Sequence, residues 1–289
     1  MLILSSGWPC PGYGETARDR AARLAQKSIE LRKQPPRRLS AQEQEAQALI
    51  TKAKDLTATV ETSNDVDQVI KLFTEATAIA PDYDQAWFGL ASALCIRSFY
   101  MPAESKAEKA AVLENLAQAK SACNHALELN PQSPGANYWM SFILITESNY
   151  KNPALALLRI PQILSYSDQV EQVDPYYEYG AIYRTYGMVL AVIPDWMATA
   201  IGSGPETILP YLDQAILMEP NCFSNYTVRA FIYNKMGGPE NKQKALNELE
   251  YVLGRSPDAL AGYQADNRRR QKEARILWKM FTGKEYPDQ

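Results

Sequence analysis

Residues that could do chemistry are few in this sequence and lie far apart. The single histidine, His125, falls in a predicted helix, where a lone histidine is usually a structural or exposed side chain rather than a ligand. No phosphate-binding glycine loop, zinc-protease motif or nucleophile elbow occurs. The four cysteines have no CxxC or other metal-like spacing: Cys10, Cys95, Cys123 and Cys222. The sequence therefore predicts a protein that is not an enzyme and has no cofactor and no metal site.

The aromatic residues are more informative than the titratable ones. The chain has 17 tyrosines, and six of them lie between residues 166 and 186. Tyrosine combines a rigid apolar ring with a hydrogen-bonding hydroxyl, so it suits protein interfaces as well as helix packing. Tyr183 and Tyr186 have helical spacing, which favours a place in the core. Trp139, in a strongly apolar helical stretch, is also expected in the core.

The other aromatic residues of this region are candidates for a binding surface. Tyr176, Tyr177 and Tyr179 lie at a predicted helix start, from which side chains reach either the core or a concave surface. Trp196 follows Pro194 in a predicted loop, and we expect it to line a groove. The candidate site for a partner or ligand is thus a concave aromatic surface made of these four residues.

The elements that would position these residues are helices that end at a proline. Proline lacks a backbone N–H and disfavours helix in the residue before it, so each helix stops there. The five prolines are Pro81, Pro131, Pro175, Pro220 and Pro257. Residues twelve, eight and five positions before each proline share one helical face and define five packing triplets. The triplets are Val69, Phe73 and Ala76; Ala119, Cys123 and Ala126; Ile163, Ser167 and Val170; Ile208, Leu212 and Ala215; and Ala245, Leu249 and Val252.

A further apolar helix follows the turn at most of these prolines, so the chain consists of repeated helix pairs. The prolines are 50, 44, 45 and 37 residues apart. Tetratricopeptide (TPR) repeats are helix pairs of about 34 residues in which small residues allow close packing and a proline follows the second helix. The sequence resembles a TPR array with lengthened repeats. The resemblance predicts an all-α, TPR-like α-α solenoid with irregular, stretched repeats.

Composition and charge limit the partners. Hydrophobic residues at 46% and charged residues at 22% are typical of a globular chain, and the net charge of −3 argues against nucleic acid as the main partner. The most apolar run, residues 188–201, is interrupted by Pro194 and is shorter than the ~20 residues that a membrane span needs. We therefore expect protein partners, no nucleic acid and no membrane span.

The chain ends suggest two further features. Residues 1–38 are predicted to form an irregular N-terminus and a basic amphipathic helix, and residues 39–289 the solenoid. There are two hypotheses for the basic helix: it presents a solvated face that caps or tethers the solenoid, or it anchors the protein to an acidic partner or anionic lipid. A last helix, over residues 265–281, is rich in arginine and lysine. We expect it to turn a polar face outward and cap the solenoid rather than form a binding patch.

From Leu127 onward the sequence also resembles a narrower family. The matching segments read ALELNP, NYWMSF, DPYYEYGAIYRTYGMVLAVIP, ETILPYLDQAILMEP and DNRRRQKEARILW. They are similar to the TPR-like T-component family of the tripartite ATP-independent periplasmic (TRAP) transporters. Gly180, Arg184 and Gly187 match the family's glycine-rich helix. The resemblance implies that these three residues specify the fold, together with the five prolines.

The resemblance also implies a location and a partner. It suggests a periplasmic accessory protein that docks the soluble solute-binding protein of a TRAP transporter, with homo-oligomers possible in this family. No export signal is visible in the sequence, so a cytoplasmic location is the alternative. The alternative function is a permanent structural or assembly subunit of a larger multi-protein complex, and catalysis is a third class of hypothesis.

Overall fold

The computed structural model describes residues 15–193 and 204–287, which contain twelve α-helices and no strand. The helices belong to two compact units. The middle unit, Arg32–Asp174, contains α2 to α7, and the terminal unit contains residues up to Leu31 together with Pro175 onward. The helices are α1 (Ala17–Lys33), α2 (Ala41–Thr57), α3 (Ser63–Ile79), α4 (Asp84–Ser98), α5 (Lys106–Leu129), α6 (Pro134–Lys151), α7 (Pro153–Val173), α8 (Ala181–Val192), α9 (Leu209–Met218), α10 (Phe223–Met236), α11 (Gly238–Leu253) and α12 (Gln264–Thr282).

Several helices begin with a capping box. The Ser40 hydroxyl accepts a hydrogen bond from the Glu43 backbone N–H, and the Glu43 carboxylate accepts one from the Ser40 N–H. The same reciprocal pair starts α3 and α5. Each box satisfies backbone N–H groups that have no partner within the helix, and losing such a cap costs about 1 kcal/mol.

The helices end where the prolines predict. Pro81, Pro131, Pro175 and Pro220 each lie two residues beyond the last residue of a helix, and Pro257 begins a short 3-10 turn after α11. Every residue of the five packing triplets is buried. The helix that precedes each proline is therefore the second helix of a pair, and its triplet faces the core.

Hydrogen bonds to proline carbonyls tie these turns to the helices, and the sequence did not reveal them. At four of the five prolines, a side chain on a helix donates to the proline carbonyl oxygen. Each bond gives the proline carbonyl group a hydrogen-bond partner and holds the turn against the helix. The four donors are Trp87 to Pro81 (2.7 Å), Asn137 to Pro131 (2.9 Å), Tyr251 to Pro220 (3.3 Å) and Asn267 to Pro257 (3.1 Å).

In the middle unit, two glycines allow the helices to approach closely. A Cβ atom on Gly89 of α4 would lie 2.1 Å from the ring of Phe73 on α3. A Cβ atom on Gly135 of α6 would lie 2.6 Å from the ring of Phe88 on α4. Real atoms cannot approach this closely, so the aromatic rings occupy the space that the missing side chains leave.

The terminal unit includes the N-terminal helix α1 as far as Leu31. α1 buries Ala21, Leu24, Ala25 and Ser28. The Ser28 hydroxyl accepts a 2.9 Å hydrogen bond from the backbone N–H of Tyr176. α1 is therefore packed into the same compact unit as residues 175–287, and only its outer face carries the basic side chains.

Candidate functional site

The structure contradicts the predicted surface position of one of the four aromatic residues, Tyr176. Its side chain has no exposed area. The hydroxyl lies 3.2 Å from the carbonyl oxygen of Ala21 and 3.4 Å from that of Tyr211, and its ring contacts Tyr183. The placement on a surface was wrong because α1, which comes from the other end of the chain, covers this side chain. Tyr183 and Tyr186 are buried, as their spacing predicts.

The neighbouring tyrosines are half-buried beside an unusual turn. Tyr177 and Tyr179 are both partly exposed, and the Tyr179 ring meets Tyr263 edge to face with centroids 5.3 Å apart. Glu178, Tyr179 and Gly180 all have positive φ angles, of 48°, 54° and 87°. For the two residues with side chains this left-handed backbone costs about 1–2 kcal/mol each. Trp196, the fourth predicted residue, lies outside the described residues.

Arg184 and Asn225 hold this turn in place. The Arg184 guanidinium donates to the carbonyl oxygens of Glu178 and Tyr179, each at 3.0 Å. The Asn225 amide donates to the Tyr179 carbonyl at 3.1 Å. A Cβ atom on Gly180 would lie 2.9 Å from the Cβ of Ala215. The turn therefore explains why residue 180 is a glycine and residue 184 an arginine. The Arg184 side chain binds the backbone of the turn rather than pointing at a ligand.

A second group of aromatic residues, in the middle unit, forms a contiguous surface. Phe99 follows the last residue of α4 and is 39% exposed, while Tyr138, Trp139 and Phe142 on α6 are half-buried. Their rings meet edge to face in a chain: Phe99 to Phe142 at 5.5 Å, Phe142 to Trp139 at 5.5 Å, and Trp139 to Tyr138 at 5.1 Å. We call these four residues the aromatic row.

Helical spacing explains why the row lies on one side of α6. Tyr138 and Phe142 are four residues apart and so share a face. Met140, Ile143 and Leu144 are buried in the core of the middle unit, and Trp139 and Phe142 pack against that core. The aromatic row is thus supported by the core without being enclosed in it. Trp139, which the sequence predicts in the core, is half-buried and packs against it. Phe99 was not predicted, because only the adjacency of α4 and α6 brings its ring to Phe142.

The middle unit also has an open groove of about 620 Å³ between α5 and α7, which are the second helices of two successive pairs. α5 lines it with Asn124, Leu127 and Glu128, and α7 lines it with Ser165, Tyr166 and Gln169. Amide and hydroxyl side chains of this kind form hydrogen bonds with a peptide backbone, and the apolar residues contact side chains. The groove is a second candidate surface of the same unit.

In the part of the chain that the structure describes, groups that could do redox or metal chemistry are buried or scattered. Burial raises the pKa of the Cys123 thiol to about 12 and that of Cys222 to about 11, which suppresses the reactive thiolate. Cys95 is also buried. Within the described ranges, no group of three or more histidine, cysteine or acidic residues could hold a metal ion. None of the helices in those ranges combines the length and the hydrophobicity of a membrane span.

Comparisons with known proteins address the fold. No family model matches the chain, and no curated protein matches its sequence. Among solved structures, a thermophilic TPR protein of Thermus thermophilus is 19% identical with a TM-score of 0.54; the match covers 81% of this chain and 99% of that one. YrrB, a TPR protein described as having an unusual peptide-binding site, is 17% identical with a TM-score of 0.38, covering 84% and 97%. The helices, the proline-ended pairs and the first of these similarities together show an all-α, TPR-like solenoid fold.

Proposed function

We propose that this protein is a non-catalytic scaffold for protein–protein interactions and that the aromatic row is its main contact surface. The observation that carries the proposal is the ring chain of Phe99, Phe142, Trp139 and Tyr138, which stays partly exposed beside a buried core. Aromatic residues are enriched among those that contribute most to binding between proteins. Rings that already pack edge to face, as these do on α6 and at the end of α4, have little conformational entropy to lose on binding.

The finer proposal concerns the partner. The segments from Leu127 onward that resemble the TRAP T-component family support a periplasmic accessory protein that docks a TRAP solute-binding protein. Tyr177 and Tyr179 in the terminal unit, with Trp196, are proposed as a secondary contact. Assembly into a homo-oligomer belongs to the same proposal.

The test is a binding measurement with a purified TRAP solute-binding protein by isothermal titration calorimetry. Phe99→Ala and Trp139→Ala should each weaken binding about tenfold, or roughly 1.4 kcal/mol, which is the lower range for a strong interface residue. Tyr166→Ala, in the groove between α5 and α7, is the matched aromatic control and should leave the affinity unchanged. Loss of binding with Tyr166→Ala alone would assign the site to the groove, and no binding of the wild-type chain would contradict the TRAP partner.

The second candidate function is that of a permanent structural or assembly subunit of a larger complex. The apolar composition of the row favours it, because obligate interfaces are more apolar than transient ones. Size-exclusion chromatography of the native protein at 1 M NaCl distinguishes the two functions. A permanent subunit remains with stoichiometric partners at high salt, whereas an accessory protein elutes as a separate species.

A further inference from the structure

The groove between α5 and α7 contains a buried polar side chain that still has an unused hydrogen-bonding atom. Asn137, near the start of α6, is only 2% exposed and lines the groove. Its amide nitrogen donates to the carbonyl oxygens of Pro131 and Ser133, each at 2.9 Å. Both amide hydrogens are therefore used, and Oδ1 has no hydrogen-bond donor among the described residues. The turn at Pro131 thus fixes Asn137 and leaves its acceptor atom for a ligand.

The walls of the groove carry further amide groups. Asn124 lies on α5, Gln132 in the turn that follows α5, and Gln169 on α7. None of these three side-chain amides has a hydrogen-bond partner in the part of the chain that the structure describes. Ser165 and Tyr166 of α7 add hydroxyl groups. A ligand in the groove therefore meets donors and acceptors on both sides.

The groove has little charge. Glu128 is the one charged residue among the described residues that line it. The Glu128 side chain is 75% exposed, and His125 Nδ1 lies 3.6 Å from its Oε2. A carboxylate this exposed contributes little to binding, because water and salt screen its charge. The lining has no lysine or arginine to attract a phosphate group or an acidic segment, so hydrogen bonds rather than charges select the ligand.

We propose that this groove binds an uncharged, extended segment of a partner protein through the main chain of that segment. A primary amide has an acceptor oxygen and two N–H donors, so it pairs with both the C=O and the N–H group of a peptide. An extended main chain presents these groups along its whole length, while its side chains alternate between two sides. Leu127 and Tyr166 pack against the core of the middle unit and offer apolar contacts to those side chains.

This site is separate from the aromatic row. None of the four residues of the row lines the groove, which lies mainly between second helices, whereas the row lies on α6 and at the end of α4. The inference therefore goes beyond the function proposed for the row, and either site can fail its test without the other. A chain with both sites would hold two different segments at once.

The experiment uses the full-length chain, labelled with nitrogen-15, and a nine-residue peptide of valine, threonine and serine with acetylated and amidated ends. NMR follows the side-chain amide signals of asparagine and glutamine while the peptide is added. We expect saturable shifts of the signals of Asn124, Gln132 and Gln169. The signal of Gln118, which is exposed on α5 outside the groove, should not move. The affinity should be the same at 50 and 300 mM NaCl, because charge does not hold the peptide.

Changes to the peptide and to the groove test the binding mode. Methylation of alternate main-chain nitrogens removes N–H donors from the peptide without altering its side chains, and it should weaken binding at least tenfold. Ser165→Trp places a large ring in the groove from an exposed position of α7 and should have the same effect. Asn124→Ala should weaken binding about threefold to tenfold, as expected for the loss of one hydrogen-bonding group. Gln118→Ala is the matched control, and it and Trp139→Ala in the aromatic row should leave the affinity unchanged.

Four results would overturn the proposal. The first is the absence of saturable shifts at peptide concentrations up to about 5 mM, well above a weak Kd of about 1 mM. The second is equal binding of the methylated peptide. The third is undiminished binding by Ser165→Trp when circular dichroism shows that this variant is folded. The fourth is tighter binding of maltoheptaose with shifts of the same signals, which would make the groove a carbohydrate site.

Discussion

Arg184 Nη1 lies 2.8 Å from Asn225 Oδ1, and both side chains also donate hydrogen bonds to the carbonyl oxygen of Tyr179. Forty-one residues of sequence separate the two side chains. They join α8 to α10 across the left-handed turn, and they donate to two of its carbonyl groups, those of Glu178 and Tyr179. This pair makes the strained turn stable and ties it to the neighbouring repeat.

Replacing Arg184 should therefore destabilise the terminal unit. Arg184→Ala removes the guanidinium donor to the Glu178 carbonyl and to Asn225 Oδ1, and one of the two side-chain donors to the Tyr179 carbonyl. We expect a loss of about 2–3 kcal/mol in the free energy of unfolding. Urea denaturation followed by circular dichroism measures the change. Lys242→Ala, at an exposed position of α11, is the control and should alter the stability by less than about 0.5 kcal/mol.

Gly89→Ala should destabilise the middle unit although alanine is the better helix former. The propensity gain is about 1 kcal/mol, but the new Cβ would overlap the buried Phe73 ring, and overpacking costs about 1–3 kcal/mol. We expect a lower melting temperature for the single variant. Phe73→Leu should restore part of the stability in the Gly89→Ala background while destabilising the wild type. Purely additive effects of the two changes would show that the ring is not the cause.

Glu147 should make the stability of the middle unit depend on pH. Burial alone would raise the pKa of its carboxyl group, but hydrogen bonds from Lys151 and Arg159 and the charge of Lys120 outweigh burial and lower the pKa to about 2. Because the folded value lies below the ordinary value of 4.5, the contribution is fully present above about pH 4.5 and is lost as the pH falls towards 2.

Glu147→Gln tests this linkage. The variant should be less stable than the wild type at pH 7 by about 1 kcal/mol, and the difference should shrink below pH 4. Denaturation midpoints measured between pH 7 and pH 3 provide the comparison. A difference that stays constant over this range would show that the ion pairs of Glu147 contribute through packing rather than charge.

The buried thiols should react only when their unit opens. Cys95 and Cys123 lie in the middle unit and Cys222 in the terminal unit, and burial raises the pKa of each thiol. In a Cys10→Ser variant, we expect negligible reaction with Ellman's reagent at pH 8 over minutes, and complete reaction of three thiols in 6 M guanidinium chloride. Fast labelling of one thiol in the native protein would locate an opening in its unit.

Tyr176→Phe should separate a core role from a surface role. The hydroxyl group lies within hydrogen-bonding distance of the carbonyl oxygens of Ala21 and Tyr211, so its removal should cost about 1 kcal/mol of stability. Partner affinity should not change, because the side chain is fully buried. If the stability is unchanged and binding is weaker, Tyr176 belongs to the binding surface instead.

Local periodicity accounts for what could be predicted about the fold. Offsets of four and three residues put Val69, Phe73 and Ala76 on one side of a helix. Proline disfavours helix in the residue before it, so helices end before the five prolines, although α7 accommodates Pro161 in its interior. Both effects act over a few residues. They predict the helices, their ends, their buried faces and the burial of Tyr183 without knowledge of any neighbour.

The candidate site depended on contacts that no local pattern encodes. Tyr176 is hidden by Ala21, which lies 155 positions earlier in the sequence, and Phe99 meets Phe142 only because α4 and α6 are neighbours. Ile276 on α12 is 65% exposed for the same reason, since the sequence of α12 does not say which of its sides will be covered. The sequence alone thus determined the helical repeats, because proline and helical periodicity act locally. Only the tertiary structure decided which aromatic and apolar side chains face solvent, because burial depends on which helices pack together.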